Sequence, residues 1–386
     1  MSARLRASGA WREGDPMGRR HLVEVGPLTL ERGGELPKVR VAYETWGRLA
    51  PDGGNAVLVL HALTGDSHVI GAVEPGHPTP GWWDLLVGPG RAVDTDRWFV
   101  VAPNVLGGCQ GTTGPSSPAP DGRPWASRFP ALTIRDQVEV ERRLADHLGI
   151  EAWALAVGGS MGGMRVLEWA VGHPDRVRSI AALAVSATAT ADQIALQTIQ
   201  LHAVRSDRHF LGGDYLLDWA DDPYAPGPHT GLALARRLAH WSYRSREEFH
   251  LRFGRAAQQG EDPFSGGRFA VESYLDHHGT KLVRRFDAAS YVVLTDAMNT
   301  HDVGRGRGGI HAALDRYRGC GPVLVAGVDS DRLYPLEEQH ALAHLLGVPG
   351  ERASVIRSPH GHDAFLIEHR QVGRLLTDLL RRLPSR

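Results

Sequence analysis

Short apolar runs alternate with helical patterns over most of this sequence. The runs at 55–65 ("NAVLVLHALTG") and 97–108 ("RWFVVAPNVLGG") are continuously apolar and end in glycine loops, which is typical of strands buried on both faces of a sheet. Residues 133–150 place apolar side chains at helical spacing between a threonine that can cap the start and a glycine near the end. A strand at 152–157 and a helix to about His173 follow. This alternation predicts a mainly parallel central sheet with helices on both faces.

The alternation stops after residue 187. From 190 to about 300 the patterns are helical, and the next strong strand is "GPVLVAGVDSD" at 321–331. We therefore predict a core made of residues 21–188 and 305–386, interrupted by a helical lid at 189–304, since insertions of this kind commonly cover active sites. Residues 1–20 combine charge with small side chains and show no periodicity, which predicts a disordered N-terminal arm.

Composition narrows the class of protein. The 386 residues carry a net charge of -1, with 42% hydrophobic and 23% charged residues, as in soluble globular proteins, and this balance argues against a nucleic-acid partner. The two cysteines, Cys109 and Cys320, do not have the spacing of a disulfide framework or a metal site. A signal peptide and an apolar run of about 18 residues are both missing, so we predict a cytoplasmic protein with no membrane contact and no metal.

The stretch "GGSMG" at 158–162 matches the G-x-S-x-G pattern between a predicted strand and a predicted helix. In that context Ser160 occupies a strained turn that lifts its hydroxyl above the sheet edge, and we interpret it as a nucleophile. The Met161 amide lies at the amino terminus of the predicted helix, where its N–H can donate to an oxyanion. The expected second donor is the amide of Leu63, in the loop after an early strand. An alternative role for the glycines is to let the helix pack closely on the sheet. For His61, packing in the core and a function in the site are equally compatible with the sequence.

A serine nucleophile needs a base, and in this arrangement the order along the chain is serine, acid, histidine. The stretch "VLVAGVDSDRLYP" offers Asp329 and Asp331 after a late strand. The stretch "SPHGHDAF" offers His360 and His362 after the last strand. Both pairs fall where the order requires them, and spacing alone does not choose between the two members of either pair.

Several long blocks together carry a recognisable pattern: "HALTGDSH", "PGWWDLLVGPGRAVDTDRWFVVAPNVLGGCQGTTGPSS", "GGSMGGMRVLEWA", "MNTHDVGRGRGG", "GVDSDRLYP" and "SPHGHDAFLIE". They resemble the homoserine O-acetyltransferase family of α/β-hydrolase-fold acyltransferases, and the resemblance covers nearly all of the chain after about residue 20. It implies an α/β-hydrolase fold, with the mainly parallel sheet and the inserted helical lid described above.

The resemblance also assigns roles to single residues. It places the nucleophile on Ser160, the acid on Asp331 and the base on His362, which chooses within both pairs. It further implies that the amino-acid substrate is bound by Arg236, in the lid block "GLALAR", and by Asp363. An arginine can grip a carboxylate through two parallel hydrogen bonds, and an aspartate suits an ammonium group. The stretch at 218–231, just before the lid block, looks longer than the family usually has.

The activity implied by the resemblance is transfer of acetyl from acetyl-CoA to the γ-hydroxyl of L-homoserine in methionine biosynthesis. The mechanism would be ping-pong through an acyl-serine, with no permanently bound cofactor, in a homodimer formed through the lid helices. Alternatives within the family are homoserine O-succinyltransferase and serine O-acyltransferase. A succinyl group needs a cation for its distal carboxylate, and residues 62–65 offer none. An alternative of another class is a serine esterase, which does not need the pair formed by Arg236 and Asp363.

Overall fold

The computed structural model describes residues 4–383. Its strands are β1 (His21–Glu24), β2 (Leu28–Thr29), β3 (Glu35–Leu36), β4 (Arg40–Trp46), β5 (Ala56–Leu60), β6 (Val87–Gly88), β7 (Val93–Asp94), β8 (Phe99–Pro103), β9 (Leu155–Gly159), β10 (Ile180–Leu183), β11 (Val323–Val328) and β12 (Ser354–Ile356). Its helices are α1 (Ile134–His147), α2 (Met161–Gly172), α3 (Ala191–Arg205), α4 (Tyr215–Asp221), α5 (His229–Tyr243), α6 (Arg246–Phe253), α7 (Ala270–Val283), α8 (Ala288–Asn299), α9 (Ile310–Asp315), α10 (Leu336–Leu345), α11 (Ala364–Ile367) and α12 (His369–Leu380).

The central sheet has eight strands in the order β1-β4-β8-β5-β9-β10-β11-β12. The pairs β1–β4 and β4–β8 are antiparallel, and the pairs from β8 to β12 are parallel. The predicted mainly parallel sheet is therefore confirmed. Strands β5 and β9 lie in its middle with every residue buried, which explains why their sequences are continuously apolar.

Helices cover both faces of the sheet, and the side chains of β5 alternate between the two cores. Leu58 belongs to the hydrophobic cluster that contains Val138 of α1 and Val166 of α2. Val57 belongs to the cluster on the other face, which contains Leu376 of α12. This alternation follows from the two-residue period of a strand. Both faces are thus closed, and the loops at the carboxyl ends of the parallel strands are left to form a site.

Between β10 and β11 the described chain is helical, with α3 to α9 and no strand in the sheet. Thr190 and Gln193 form a capping box at the start of α3, so the first helix after the core begins at a well-marked position. Helix α5 packs between α3 and α7. We call residues 189–304 the lid region. None of the described helices is both long enough and apolar enough to span a membrane.

The prediction of a disordered arm over residues 1–20 is wrong for residues 4–20, and residues 1–3 lie outside the described part of the chain. Ala7 and Ala10 are buried, and the Ala7 amide donates to the carbonyl of Pro223 at 2.9 Å. A Cβ atom on Gly9 would collide with the backbone at Phe286. The small residues that suggested disorder are therefore the ones that fit a narrow groove, and an extended segment in a groove needs no helical or strand period. We call residues 4–20 the N-terminal strap.

Candidate active site

Ser160 lies between the end of β9 and the start of α2, with φ of 56° and ψ of −125°. A positive φ is strained for a residue with a side chain, and such strain collects at functional turns. The turn is held because the Ser160 amide donates to Leu183 at 3.0 Å and its carbonyl accepts from Met164 at 3.0 Å. Ser160 is only 6% exposed. The backbone thus fixes a buried hydroxyl at the amino terminus of a helix.

Both roles considered for the surrounding glycines are present. A Cβ atom on Gly162 would collide with the carbonyl of Leu60, and one on Gly158 would collide with the Gly162 backbone, so these two glycines permit the tight turn. At Gly159 the obstacle is the ring of Phe365, and at Gly163 it is the side chain of Val185; these two glycines allow close packing.

The structure brings Asp331 and His362 together. The Nδ1–H of His362 donates to Oδ2 of Asp331 at 2.7 Å, and Oδ1 of Asp331 accepts from the amides of Leu333 at 2.8 Å and Tyr334 at 3.0 Å. The carboxylate is therefore fixed on both oxygens. The other candidates have different partners. Asp329 accepts from the amide of Ser358 at 3.0 Å, and Nδ1 of His360 lies 3.4 Å from Glu248.

The imidazole of His362 is buried and lies beside two carboxylates. Burial disfavours its imidazolium, but the charge of Asp331, the hydrogen bond to it and the charge of Asp363 outweigh burial and raise the pKa of His362 above its ordinary value. Because Nδ1 carries the proton shared with Asp331, Nε2 holds the lone pair. That nitrogen is buried and has no hydrogen-bond partner among the described residues, so it is available to take a proton.

Tyr334 is a neighbour of this machinery that the sequence patterns did not reveal. Its ring stacks on His362, with centroids 5.0 Å apart and an interplanar angle of 21°, and its amide holds Asp331. Its hydroxyl lies beside Ser160, and burial raises the pKa of Tyr334, so the hydroxyl stays protonated. The signal in the sequence is only the place of Tyr334 three residues after the acid in "DSDRLYP".

The loop at 61–65 follows β5 and contains Leu63, whose amide has no acceptor among the described residues. His61 shapes this loop: Nδ1–H donates to the carbonyl of Ala62 at 2.8 Å, and Nε2 accepts from the amide of Val105 at 3.1 Å. Burial and the charge of Arg165 lower the pKa of His61 to about 3, so its ring is neutral. His61 therefore holds the loop in shape.

The loop also receives a hydrogen bond from a buried arginine of α2. Arg165 donates to the carbonyl of His61, and it forms an ion pair with Glu141 at 2.7 Å. Trp169 donates to the other oxygen of Glu141 at 2.8 Å. The charge of Arg165 is thus compensated inside the core, which allows a guanidinium group to hold a backbone carbonyl next to the expected oxyanion donor.

Arg236 reaches the same loop from helix α5. Its Nη1 donates to Oγ1 of Thr64 at 3.2 Å, and its guanidinium lies 5.6 Å from the ring centre of Tyr243. Asp363 follows His362 and lies 3.2 Å from Arg244, an ion pair that the sequence did not predict. Arg237, next to Arg236, turns outward and pairs with Asp276 at 2.8 Å. Arg236 and Asp363 thus have different contacts, but both lie close enough to Tyr243 for their charges to act on the pKa of its hydroxyl.

A buried cluster of Glu44, His68 and His77 has the residue types of a metal site. The two imidazole rings are stacked, with centroids 3.8 Å apart and an interplanar angle of 10°. A metal ion has to lie near the plane of each imidazole ligand at about 2.1 Å from nitrogen, which two parallel stacked rings do not permit. Glu44 instead accepts from the hydroxyl of Ser67 at 2.7 Å and from His68 at 3.3 Å, so the cluster anchors the segment after the loop on β4.

The strand order, the strained serine turn at the carboxyl end of β9 and the histidine after β12 define the α/β-hydrolase class of protein. Residues 55–369 match the sequence model of the alpha/beta hydrolase fold. In agreement with this, the solved structure of esterase E22 superposes with a TM-score of 0.82 over 94% of this chain and 99% of that chain, at 24% identity, which speaks for the fold alone.

Within this class the chain belongs to the homoserine O-acetyltransferase family. It is 62% identical over 378 residues to the homoserine O-acetyltransferase of Thermobifida fusca (strain YX), covering 97% of each chain. The crystal structure of a homoserine O-acetyltransferase from Bacillus anthracis is similar with a TM-score of 0.84 at 25% identity, covering 95% of this chain and 99% of that chain. The resemblance stated from the sequence motifs is therefore confirmed.

Proposed function

We propose that this chain transfers the acetyl group of acetyl-CoA to the γ-hydroxyl of L-homoserine through an acetyl-Ser160 intermediate. The observation that carries the proposal is the hydrogen-bonded pair of Asp331 and His362 in a chain that belongs to this family. A histidine with one nitrogen held by a carboxylate and the other free is the base that a serine nucleophile requires.

In the first half-reaction His362 takes the proton of Ser160, and Oγ attacks the thioester carbonyl of acetyl-CoA. The amides of Leu63 and Met161 donate to the resulting oxyanion, a type of stabilisation worth about 3–4 kcal/mol per donor in a comparable site. The carbon–sulfur bond then breaks, and the CoA thiolate leaves with the proton held by His362. The product is acetyl-Ser160 and neutral His362.

In the second half-reaction the γ-hydroxyl of homoserine gives its proton to His362 and attacks the ester carbonyl of acetyl-Ser160. The same two amides hold the second oxyanion. The bond to Oγ of Ser160 breaks, the proton returns to the serine, and O-acetylhomoserine is released. The enzyme is then in its starting state, which is the basis of ping-pong kinetics.

Binding of homoserine falls to Arg236 and Asp363 in this proposal. The guanidinium would hold the α-carboxylate beside Thr64, and Asp363 would hold the ammonium. Asp363 is paired with Arg244 in the structure, but Arg244 also lies 3.3 Å from Glu248. Arg244 therefore keeps a carboxylate partner when Asp363 turns to the ammonium of the substrate.

An esterase is the competing function of another class, because this fold supports hydrolysis as well as transfer. Transfer requires that water be kept from the acyl-serine. We propose that residues 189–304 act as the lid that does this. The ring of Tyr243, at the end of α5, lies 5.7 Å from that of His362, so the lid region reaches the proposed base.

The choice of donor rests on the surroundings of Thr64. Residues 62–65 carry no cation themselves, as predicted, but Arg236 and Arg285 both reach Thr64 from the lid region. A cation beside this loop is supplied by the lid region, so the lack of one within residues 62–65 does not by itself decide the donor. We favour acetyl because the relatives at 54–62% identity are named homoserine O-acetyltransferases.

The test measures release of free CoA thiol from acetyl-CoA and from succinyl-CoA, each with L-homoserine, with L-serine and with no acceptor. We expect fast turnover only with acetyl-CoA and L-homoserine. Equal rates with and without acceptor would show a thioesterase and overturn the transferase proposal. Ser160→Ala should show no acetyl adduct by mass spectrometry, and an adduct that persists on this variant would remove Ser160 from its role.

We further propose that the enzyme works as a homodimer in the cytoplasm. Ile199 of α3, Leu234 of α5 and Trp241 of α5 are large apolar side chains exposed on the lid region, and a contact between two lids would cover them. Sedimentation equilibrium of the purified protein tests this: a mass of two chains supports the dimer, and a monomer at micromolar concentration contradicts it.

A further inference from the structure

Arg285 is a partly buried arginine just after the end of α7, and its backbone is firmly placed. Its carbonyl accepts from Nε2 of Gln110 at 2.9 Å. The next residue, Phe286, is buried, and Asp287 caps α8 by accepting from the amide of Ser290 at 2.8 Å. The direction of the Arg285 side chain is therefore set by the fold around it.

The side chain of Arg285 points to the loop after β5. Its Nη1 donates to the carbonyl of Thr64 at 2.7 Å, while Nη1 of Arg236 donates to the hydroxyl of the same residue at 3.2 Å. Two guanidinium groups from different parts of the lid region therefore converge on one residue, next to the expected oxyanion donor Leu63.

Among the described residues, neither of these two guanidinium groups has a carboxylate in direct contact. Within residues 4–383, neither Arg236 nor Arg285 has a carboxylate oxygen within 4.0 Å, whereas the buried Arg165 has Glu141 at 2.7 Å. Asp66 is an acid near Arg285, and its attraction is opposed by the charge of Arg236. The Nε–H of Arg285 is buried and has no acceptor among the described residues. A partly buried cation that has no carboxylate in direct contact, and whose buried Nε–H has no acceptor, is costly unless a ligand supplies an anion.

We propose that Arg285 is a second guanidinium of the subsite for the acceptor's α-carboxylate, where it acts together with Arg236. The inference rests on the proposed function, since it concerns the same acceptor. A carboxylate beside Thr64 would meet a donor from each arginine and would neutralise part of a cluster of two positive charges. Charge-assisted hydrogen bonds of this kind are stronger than neutral ones. Arg285 would then select acceptors that carry a carboxylate.

The alternative is that Arg285 only holds the oxyanion loop through the carbonyl of Thr64. Two other hydrogen bonds already hold this loop: Arg165 donates to the carbonyl of His61, and the ring of His61 accepts from the Val105 amide. A role limited to the loop would affect acetylation of Ser160 and transfer to any acceptor alike. A role in carboxylate binding affects only the second half-reaction, and only acceptors with a carboxylate.

The experiment compares Arg285→Gln with the wild type, using L-homoserine and 2-amino-1,4-butanediol, in which a hydroxymethyl group replaces the carboxylate. We expect kcat/KM for L-homoserine to fall about 10–100-fold, the range for loss of a charged hydrogen bond. The value for the diol and the rate of acetyl-enzyme formation should fall far less. The matched control is Arg284→Gln, which changes the exposed neighbouring arginine and should leave both acceptors unaffected.

Equal losses for both acceptors and for acetylation would assign Arg285 to the loop and overturn the proposal, as would no loss at all. If Arg285→Gln does not fold, Arg285→Lys retains the charge but lacks the planar fork of a guanidinium group. It should still show a larger loss with homoserine than with the diol. A wild-type enzyme that does not acetylate homoserine would instead contradict the proposed function, a result visible before any variant is made.

Discussion

The chemistry of His362 depends on the groups around one imidazole. The pKa of His362 is raised by Asp331 in spite of burial, so its neutral form, which is the proposed base, is lost at a higher pH than for an ordinary histidine. As pH falls through this raised pKa, the base becomes protonated and the rate drops. We expect kcat/KM for acetyl-CoA to show an acidic limb with a midpoint above 6.5, measured between pH 5 and 9.

The same pH profile of kcat/KM, measured on Asp331→Asn, tests whether Asp331 is the cause of the raised pKa of His362. Loss of the carboxylate should move the acidic limb to lower pH and reduce kcat by about 10⁴-fold, as in the serine protease triad. A limb below 6.5 in the wild type, or one that does not move in the variant, would contradict the role given to Asp331.

Gly162 tests whether the turn at Ser160 depends on the absence of a side chain. In Gly162→Ala the new Cβ collides with the backbone carbonyl of Leu60, which a central strand cannot move away. We expect a loss of about 1–3 kcal/mol in the free energy of unfolding. Acetyl-enzyme formation should fall about 100-fold because the serine and the loop are displaced.

The control lies ten residues along the same helix. At Gly172 a Cβ atom would meet only Nη2 of Arg307, at an ordinary 3.6 Å. Gly172→Ala should therefore keep full acetylation and gain up to about 1 kcal/mol from helix propensity. Similar losses in both variants would mean that the helix as a whole, and not the turn, is sensitive to substitution.

Single residues differ in how far the sequence reveals them. Ser160 was predictable because the turn that presents it requires glycines at fixed positions, and that requirement leaves a pattern. Asp331 and His362 are distinguished from Asp329 and His360 only by the family resemblance, since spacing leaves two candidates for the acid and two for the base. Tyr334 and Arg285 were missed because their importance comes from stacking and from charges that meet across long sequence distances, which leave no local pattern.

At the scale of elements, the N-terminal strap joins the core to the lid region. The Trp11 amide donates to the carbonyl of Cys109 in the core at 2.9 Å, and the hydroxyl of Ser8 donates to Asp287, in front of α8, at 2.7 Å. We expect Ser8→Ala to lower the free energy of unfolding by about 1.5–3 kcal/mol, since it removes a buried hydrogen bond to a charged group. Urea denaturation measures this loss.

Ser265→Ala is the matched control, because its hydroxyl donates to Asp262 at the same 2.7 Å but on an exposed surface. It should cost far less, since water replaces the lost partner. Equal effects of the two substitutions would argue that the strap does not stabilise the protein through its buried contact.

The helices and strands of the core were predictable because burial leaves a pattern of apolar residues in the sequence. Strands β5 and β9 show this, since they are buried throughout and continuously apolar. The strap was not, because a groove selects small residues without a period, and small residues without a period are also the mark of a disordered segment. The ion pair between Arg244 and Asp363 was missed for a related reason: α5 and the loop after β12 meet only in the folded chain.

For the molecule as a whole, the alternation of apolar runs and helical patterns was enough to predict a mainly parallel sheet, and the break in that alternation was enough to locate a helical insertion. The long motif blocks were enough to predict the family, and the similarity to known homoserine O-acetyltransferases confirms it. The sequence did not reveal that two lid arginines meet at Thr64. That arrangement depends on how α5 and the segment after α7 meet the loop after β5, which local patterns do not specify.

The strap also has a consequence for the order in which the protein can be completed. Ser8 and its partner Asp287 are 279 residues apart. At a synthesis rate of roughly 5–20 residues per second, Ser8 is made on the order of 15–55 s before the residue that receives it. The strap can therefore be placed only after most of the lid region has been made. A fusion partner attached ahead of the strap would stand beside a groove that closes only after Asp287 has been made.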